Sequence, residues 1–305
     1  MTDPADGDRG DRGVLVLVGT PIGNLGDLSP RAVEELRTAD VIACEDTRRT
    51  RQLLTAAGVA AGGRLMAVHD HNEAAQVNGV LRRLDAGKRV AVVTDAGMPG
   101  ISDPGERLVV AAAAAGHRVE VVPGPSAAVT ALVVSGLPTG RSCFEGFLPR
   151  KGRDRSRRLA EVAADRRTTV LFESPHRVRA TVADLVEAVG GERRVAVARE
   201  LTKHFEEVWR GTLAAAVDHL AEREPLGEYV LVVEGAPDRE PATESDVDDA
   251  LRARLASGVP KRDAVAEVAA ELDVPKRQVY DAALRIGDGG SGSDSTPVVG
   301  TRSVD

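Results

Sequence analysis

The sequence predicts an α/β protein whose first sheet is largely parallel. Three observations carry this. Short aliphatic runs alternate with helix-length amphipathic segments, the pattern of βαβ units. The runs are continuous rather than alternating, as in Val14-Leu15-Val16-Leu17-Val18 and Val90-Ala91-Val92-Val93, and such runs suit strands covered on both faces. Several runs also end in a loop dense in Gly, Pro or Asp, the place where open α/β sheets hold ligands.

The elements follow in order. The run at 14–19 leads into Thr20-Pro21-Ile22-Gly23-Asn24-Leu25-Gly26-Asp27-Leu28-Ser29. Ser29-Pro30 then opens a helix to about 39, with Ser as cap and Pro at the first helical position. A strand over 40–44 ends in Glu45-Asp46-Thr47-Arg48-Arg49, and a helix runs to about 57. A short apolar piece at 65–68 leads to His69-Asp70-His71-Asn72-Glu73 and a helix to 85. The strand at 89–93 is followed by the densest loop of the chain, Thr94-Asp95-Ala96-Gly97-Met98-Pro99-Gly100-Ile101-Ser102-Asp103-Pro104-Gly105. Gly lets backbone approach a ligand closely and Pro fixes it there. A helix over 106–115 and a strand over 118–122 complete a first domain, 14–123.

Pro123-Gly124-Pro125-Ser126 breaks the pattern and caps a helix over 127–135. A second domain, 124–236, is expected, with strands at 142–147, 168–172, 194–198, 206–210 and 229–234. Its helices are placed at 155–164, 175–189 and 213–222, and the close late spacing predicts a mixed sheet. An acidic linker over 237–249 precedes a helical module at 250–286 that resembles a helix-turn-helix. The ends, 1–13 and 287–305, read as a disordered leader and tail.

The formal charge is -7, and 1–13 and 237–249 together account for all of it, leaving 14–236 neutral. A neutral body can still carry a basic patch, and 147–167 holds eight bases against three acids. Cys44 and Cys143 read as buried thiols of a reducing, cytoplasmic protein. No apolar run approaches the roughly 20 residues of a membrane helix. The His69–Glu73 stretch fits no standard metal spacing, so no metal is expected.

Four loops stand out together: Gly19-Thr20-Pro21-Ile22-Gly23-Asn24-Leu25, the Asp95–Gly105 stretch, Pro123-Gly124-Pro125-Ser126-Ala127, and Phe172-Glu173-Ser174-Pro175-His176-Arg177. In this order and spacing they resemble the tetrapyrrole methylase superfamily. Cys44-Glu45-Asp46-Thr47-Arg48, His71-Asn72-Glu73 and Ala198-Arg199-Glu200-Leu201-Thr202-Lys203 resemble its branch of small-subunit ribosomal RNA 2′-O-methyltransferases. The resemblance covers 14 to about 286. It implies two α/β domains of the tetrapyrrole methylase type with S-adenosylmethionine in the cleft between them, and a homodimer. The cofactor contacts it implies are Pro21 and Gly23 in the first loop; Asp95, Ala96, Gly97, Met98, Pro99 and Ile101 in the second; then Ser126 and Ala127, and Phe172 and Glu173. The chain has no G-x-G-x-x-G after its first strand, which disfavours a dinucleotide site.

Methyl transfer to a ribose 2′-hydroxyl of small-subunit ribosomal RNA needs a group that accepts or stabilises the hydroxyl proton. Glu45 and Asp46, at a strand end, are candidates, although Asp46 also reads as a helix cap. Lys203 is a third, for lowering the hydroxyl pKa, although it also reads as an ordinary ion pair with Glu200. Phosphate contacts are expected from Arg48, Arg49, Arg150, Lys151, Arg153, Arg155, His176 and Arg177. Two other readings stand beside this one: methylation of a small tetrapyrrole or corrin on the same fold, and a non-enzymatic nucleic-acid-binding regulator.

Overall fold

The computed structural model describes residues 13–222, 224–237 and 242–288. The expected leader (Gly13 apart), the centre of the acidic linker and the tail beyond Asp288 lie outside the described residues. The chain divides into two compact units, Met1–Ala236 and Pro237–Asp305.

The first unit holds two five-stranded sheets. One is built from β1 (Val14–Val18), β2 (Val41–Cys44), β3 (Leu65–Ala67), β4 (Arg89–Val93) and β5 (Arg118–Val122), in spatial order β3-β2-β4-β1-β5. Every pair in it is parallel. Parallel neighbours need crossover connections, and α1 (Pro30–Thr38), α2 (Thr47–Ala56), α3 (Glu73–Asp85) and α4 (Glu106–Ala114) supply them. Val16, Leu36, Ile42 and Leu54 form the core on one face, and Leu15, Leu84, Val90 and Leu108 the core on the other. That is why the strand sequences run apolar without alternation. The order makes β4, β1 and β5 neighbours, so the loops after these three strands emerge side by side.

The other sheet joins β6 (Ser142–Phe147), β7 (Thr168–Glu173), β8 (Arg194–Arg199), β9 (Glu207–Thr212) and β10 (Tyr229–Val233), in order β6-β7-β10-β8-β9. Only β6–β7 is parallel among its pairs, giving the mixed sheet that the spacing predicts. α6 (Gly152–Ala164), α7 (Val178–Val189) and α8 (Leu213–Ala221) contribute to a core around Leu171, Leu185, Leu213 and Leu231. α5 (Ala127–Val134) packs on the opposite face with Val170, Val230 and Val232. Ile22, from the loop after β1, joins that same core. One residue of the first loop is thereby anchored in the second half.

Some boundaries differ from the sequence reading. α6 begins at Gly152, three residues early, where a φ of +80° suits glycine alone. α7 begins at Val178 rather than 175, because Ser174 O accepts from both Arg177 N and Val178 N in a preceding turn. Cys143 is only half-buried, not a fully buried thiol, and its Sγ lies 3.3 Å from Thr169 Oγ1.

The second unit packs α9 (Glu244–Ala256), α10 (Lys261–Glu271) and α11 (Lys276–Asp288) around Val247, Leu251, Val268 and Val279. α9 starts inside the stretch read as linker, because Thr243 and Asp246 form a reciprocal capping box. No helix among the described residues is long and apolar enough to cross a membrane.

Candidate active site

The first and second loops are bonded to each other. Thr20 N donates to Gly97 O at 2.9 Å and Gly97 N returns to Thr20 O at 3.2 Å. The first and third loops touch backbone to backbone: a Cβ on Gly19 would lie 2.6 Å from Gly124 Cα, closer than real Cβ atoms come. The first loop also closes on the second half. Asn24 N donates to Thr202 Oγ1 at 3.2 Å, and a Cβ on Gly23 would collide with Lys203 Cγ. These contacts leave a cleft of about 380 Å³ lined by Pro21, Gly23, Arg49, Asp95, Ala96 and Lys203 among others. That volume falls in the ordinary range for small-molecule sites.

The expected cofactor residues separate into groups. Pro21, Gly23, Asp95 and Ala96 line the cleft. Gly97 and Met98 lie outside the lining, and Met98 Sδ is 2.7 Å from where a Cβ on Gly19 would lie. Pro99 is buried, and Ile101 is exposed outside the lining. Ser126 caps α5 and Ala127 begins it, both outside the lining. Phe172 is half-buried under two other rings. Glu173 departs from expectation. It is 2% exposed, and its carboxylate accepts from Thr181 Oγ1 at 2.7 Å and Ser174 N at 2.8 Å and pairs with Arg177. It serves the β7–α7 junction and not the cleft.

The carboxylates at the strand ends differ sharply. Asp46 caps α2, accepting from Arg48 N at 2.7 Å. Hydrogen bonds from the Arg48 side chain and backbone hold its pKa down at about 2, which makes it a poor proton acceptor. Glu45 is half-buried and raised, first by burial and then by the charge of Asp95. Asp95 is raised by burial and held by Arg49 at 3.3 Å. Asp103 is pushed furthest, to about 7, by burial and by the charges of Glu45, Asp70, Asp95 and Glu228. Its place in the densest loop was visible in the sequence. The convergence of four other acids on it was not, because they come from separate strand ends and from the far half. No group of three or more His, Cys, Asp or Glu among the described residues is arranged to hold a metal ion.

Lys203 Nζ donates to Glu228 Oε2 at 2.8 Å and to Glu200 Oε1 at 2.9 Å. Burial alone would favour the neutral amine, but these two partners outweigh it and hold the pKa above the ordinary value. Lys203 is therefore a fixed cation at the cleft. The loop that carries it has two left-handed non-glycine residues, Glu200 and Thr202, with φ of +51° and +66°. Such strain persists only where surrounding contacts impose it.

The expected phosphate contacts separate too. Arg150, Lys151 and Arg153 are exposed and have no acidic partner among the described residues. Arg155 does not belong with them. Its side chain is 11% exposed and bonds Asp184 at 2.7 Å, Pro149 O at 2.9 Å and Thr181 at 3.1 Å. It is a brace between α6 and α7. Arg177 is another, donating to Leu148 O at 2.8 Å, while His176 stays exposed. Arg48 pairs with Asp46 and Arg49 with Asp95. Replacing Arg155 by alanine should cost about 2 kcal/mol through the bonds left unmet. Thermal denaturation should read that as a fall of roughly 4–8 °C.

Glu73 closes the His69–Glu73 stretch and begins α3. It is buried, and its Oε1 accepts from Gly105 N at 2.9 Å and Arg107 N at 3.1 Å. A carboxylate there satisfies free N–H groups at the start of α4 and complements the helix dipole. It pins the far end of the second loop.

Two α/β halves, with strand-end loops meeting over a cleft and no G-x-G-x-x-G after the first strand, fit a methylase-type protein rather than a dinucleotide-binding one. The family of Tetrapyrrole (Corrin/Porphyrin) Methylases matches residues 14–217, and the RsmI C-terminal HTH domain matches 241–287. A ribosomal RNA small subunit methyltransferase I from Synechocystis is 46% identical over 276 residues, covering 90% of this chain and 98% of that one. The protein of the same name from Mycobacterium tuberculosis is 48% identical over 277 residues, covering 90% and 95%. Among solved structures, a uroporphyrin-III-C-methyltransferase from Thermus thermophilus aligns with a TM-score of 0.51 and 26% identity, over 72% of this chain and 94% of that one. The chain belongs to the tetrapyrrole methylase family and, within it, to the ribosomal RNA small subunit methyltransferase I group.

Proposed function

We propose that this protein transfers the methyl group of S-adenosylmethionine to the 2′-hydroxyl of a cytidine ribose in small-subunit (16S) ribosomal RNA. The observation that carries the reading is the 46–48% identity to enzymes of that name along nearly their whole length, joined to the cleft that the strand-end loops form. The cleft suits the cofactor. Gly19 and Gly124 leave no room for a side chain between loops, and the lining offers exposed backbone at Gly23 and Ala96. Bound there, S-adenosylmethionine supplies an already activated methyl group.

The chain's own residues supply position and charge. Pro21, Gly23 and Ala96 present backbone to the cofactor. Lys203 stabilises negative charge as the hydroxyl oxygen attacks. The hydroxyl proton goes to one of the raised carboxyls at the strand ends, Glu45, Asp95 or Asp103: Asp95 lines the cleft, and Asp103, on the same loop but outside the lining, has the pKa nearest the working pH, where Asp46 is held too low. Arg150, Lys151 and Arg153 hold phosphate. They stand at the start of α6, where cations are unfavourable to the helix dipole but add to its pull on an anion. The C-terminal three-helix unit acts as an RNA-contacting appendage. The protein works as a cytoplasmic homodimer. α5 is apolar except for Thr130, with Val129 60% and Val133 68% exposed, a surface suited to a second copy.

The test is incubation with labelled S-adenosylmethionine and small ribosomal subunits, followed by mapping of alkali-resistant linkages. Label in a corrinoid and none in RNA would favour the tetrapyrrole reading. Replacing Arg150, Lys151 and Arg153 together by alanine should weaken RNA binding by more than tenfold at low salt and flatten its salt dependence by about three phosphate contacts. Cofactor affinity and melting temperature should not change. Equal loss of both affinities would remove these residues from the RNA surface.

A further inference from the structure

Resting on the RNA reading above, we propose that Phe144 and Phe147, seated on Phe172, form a stacking platform for an unpaired base of the RNA substrate. The chain has only four Phe, two Tyr and one Trp in 305 residues. Three of the four Phe gather at one corner of the second sheet. The Phe144 ring stands 4.9 Å from that of Phe172 at 69°, and Phe147 stands 5.7 Å from it at 64°. Phe172 is half-buried and forms the floor, while Phe144 is 38% and Phe147 53% exposed.

The backbone is bent to produce this arrangement. Residues three apart on a regular strand face opposite sides of a sheet. On β6 the register slips between Phe144 and Gly146, so that Phe144 pairs with Val170 and Phe147 with Phe172. Val170 and Phe172 are two apart and share a face, so the bulge brings both exposed rings to that face. Gly146 makes the slip with a φ of +62°. Without the bulge, one of the two rings would turn into the core on the other side.

The occupant follows from what surrounds the rings. β6 is the edge strand of its sheet, so the rings are open on one side. Ser102 of the second loop abuts the bulge, with its Oγ 3.1 Å from where a Cβ on Gly146 would lie. The rings therefore stand beside a loop of the proposed cofactor cleft. On the other side, the chain passes through Leu148 and Pro149 to the unpaired cations Arg150, Lys151 and Arg153. Aromatic faces next to cations with no acid paired to them among the described residues match a single-stranded nucleic acid: bases stack on the rings and phosphates meet the charges.

The test uses the full-length protein and a single-stranded RNA oligonucleotide carrying 2-aminopurine. Wild type should quench the probe on binding. Phe144→Ala with Phe147→Ala should lose that quenching and bind the RNA about 5- to 150-fold more weakly, the range for one stacked base. Phe147→Trp should retain both. Cofactor titration and circular dichroism should be unchanged in all variants, which separates lost stacking from lost folding. Unchanged RNA affinity and quenching in the double variant would overturn the platform. So would a double variant that sediments as a smaller species with RNA affinity per chain unaltered, because the rings would then be a contact between copies. The readout does not depend on methyl transfer. Wild type that stacks the probe but leaves small subunits unlabelled would support the platform and count against the methylation reading alone.

Discussion

Asp103→Asn should lower methyl transfer by about 10²- to 10⁴-fold, the usual worth of a positioned proton acceptor, while making the fold more stable at pH 8. Both effects come from one cause. Burial and the neighbouring charges of Glu45, Asp70, Asp95 and Glu228 raise the Asp103 carboxyl to about 7 from an ordinary 3.8. Between those values the folded protein holds a proton that the unfolded chain has lost. Stability therefore falls as pH rises through this window. It is fully present below about 4 and gone above about 7. At pH 8 the carboxylate costs the fold about 1–2 kcal/mol after solvent screening. Asparagine cannot ionise and removes that cost, so denaturation midpoints should rise at pH 8 and match wild type near pH 4. For activity the sign is reversed. Asp103 must be ionised to take a proton, so the wild-type kcat/KM should climb with pH and level off above about 7, and the variant should lose that limb. A variant with wild-type rate and pH profile would pass the role to Glu45 or Asp95, the other raised carboxyls.

The strands and ligand loops were legible because their signals are local. Val14–Val18 and Arg89–Val93 read as buried strands from composition alone, and the Gly and Pro spacing marked the loops. Neighbourhood was not legible. Nothing in the order of the chain says that β1 lies between β4 and β5, yet that placement brings Gly19 against Gly124 and bonds Thr20 to Gly97. Side-chain allegiance was lost in the same way. Arg153 and Arg155 belong to one charge run, but packing of α6 on α7 buries the second against Asp184 and leaves the first free. Glu173 ends a strand as a ligand residue can, yet it faces Thr181 and Arg177. The paired rings of Phe144 and Phe147 depend on a bulge, and a one-residue register slip carries no composition signature.

Gly97→Val should abolish measurable cofactor binding and leave both sheets folded. Gly97 has a φ of +85°, and both of its backbone groups are bonded to Thr20. A left-handed backbone costs a non-glycine residue about 1–2 kcal/mol, and more when the side chain is β-branched. A Cβ at this point would already touch Ile22 Cγ2 and Pro125 O, each at 3.6 Å. The two methyls of valine extend beyond it, into the seam where the first, second and third loops meet. The relief open to the chain is to break the Thr20 bridge and spread those loops, which widens the cleft that Pro21 and Ala96 line. The backbone contacts that depend on that spacing go with it. Calorimetric titration with S-adenosylmethionine should show that loss. Melting should show a smaller one, about 2–3 kcal/mol, because the cores around Leu15, Ile42, Leu171 and Leu231 lie in the sheets and not at the loops. Gly97→Ala bears the same backbone strain without the methyls, so it separates the two causes. Its titration should fall between wild type and valine if crowding of the seam matters, and should match valine if strain alone opens the bridge. Full affinity in the valine variant would place the cofactor away from the first and second loops, whereas Asp103→Asn should keep full affinity and lose only turnover.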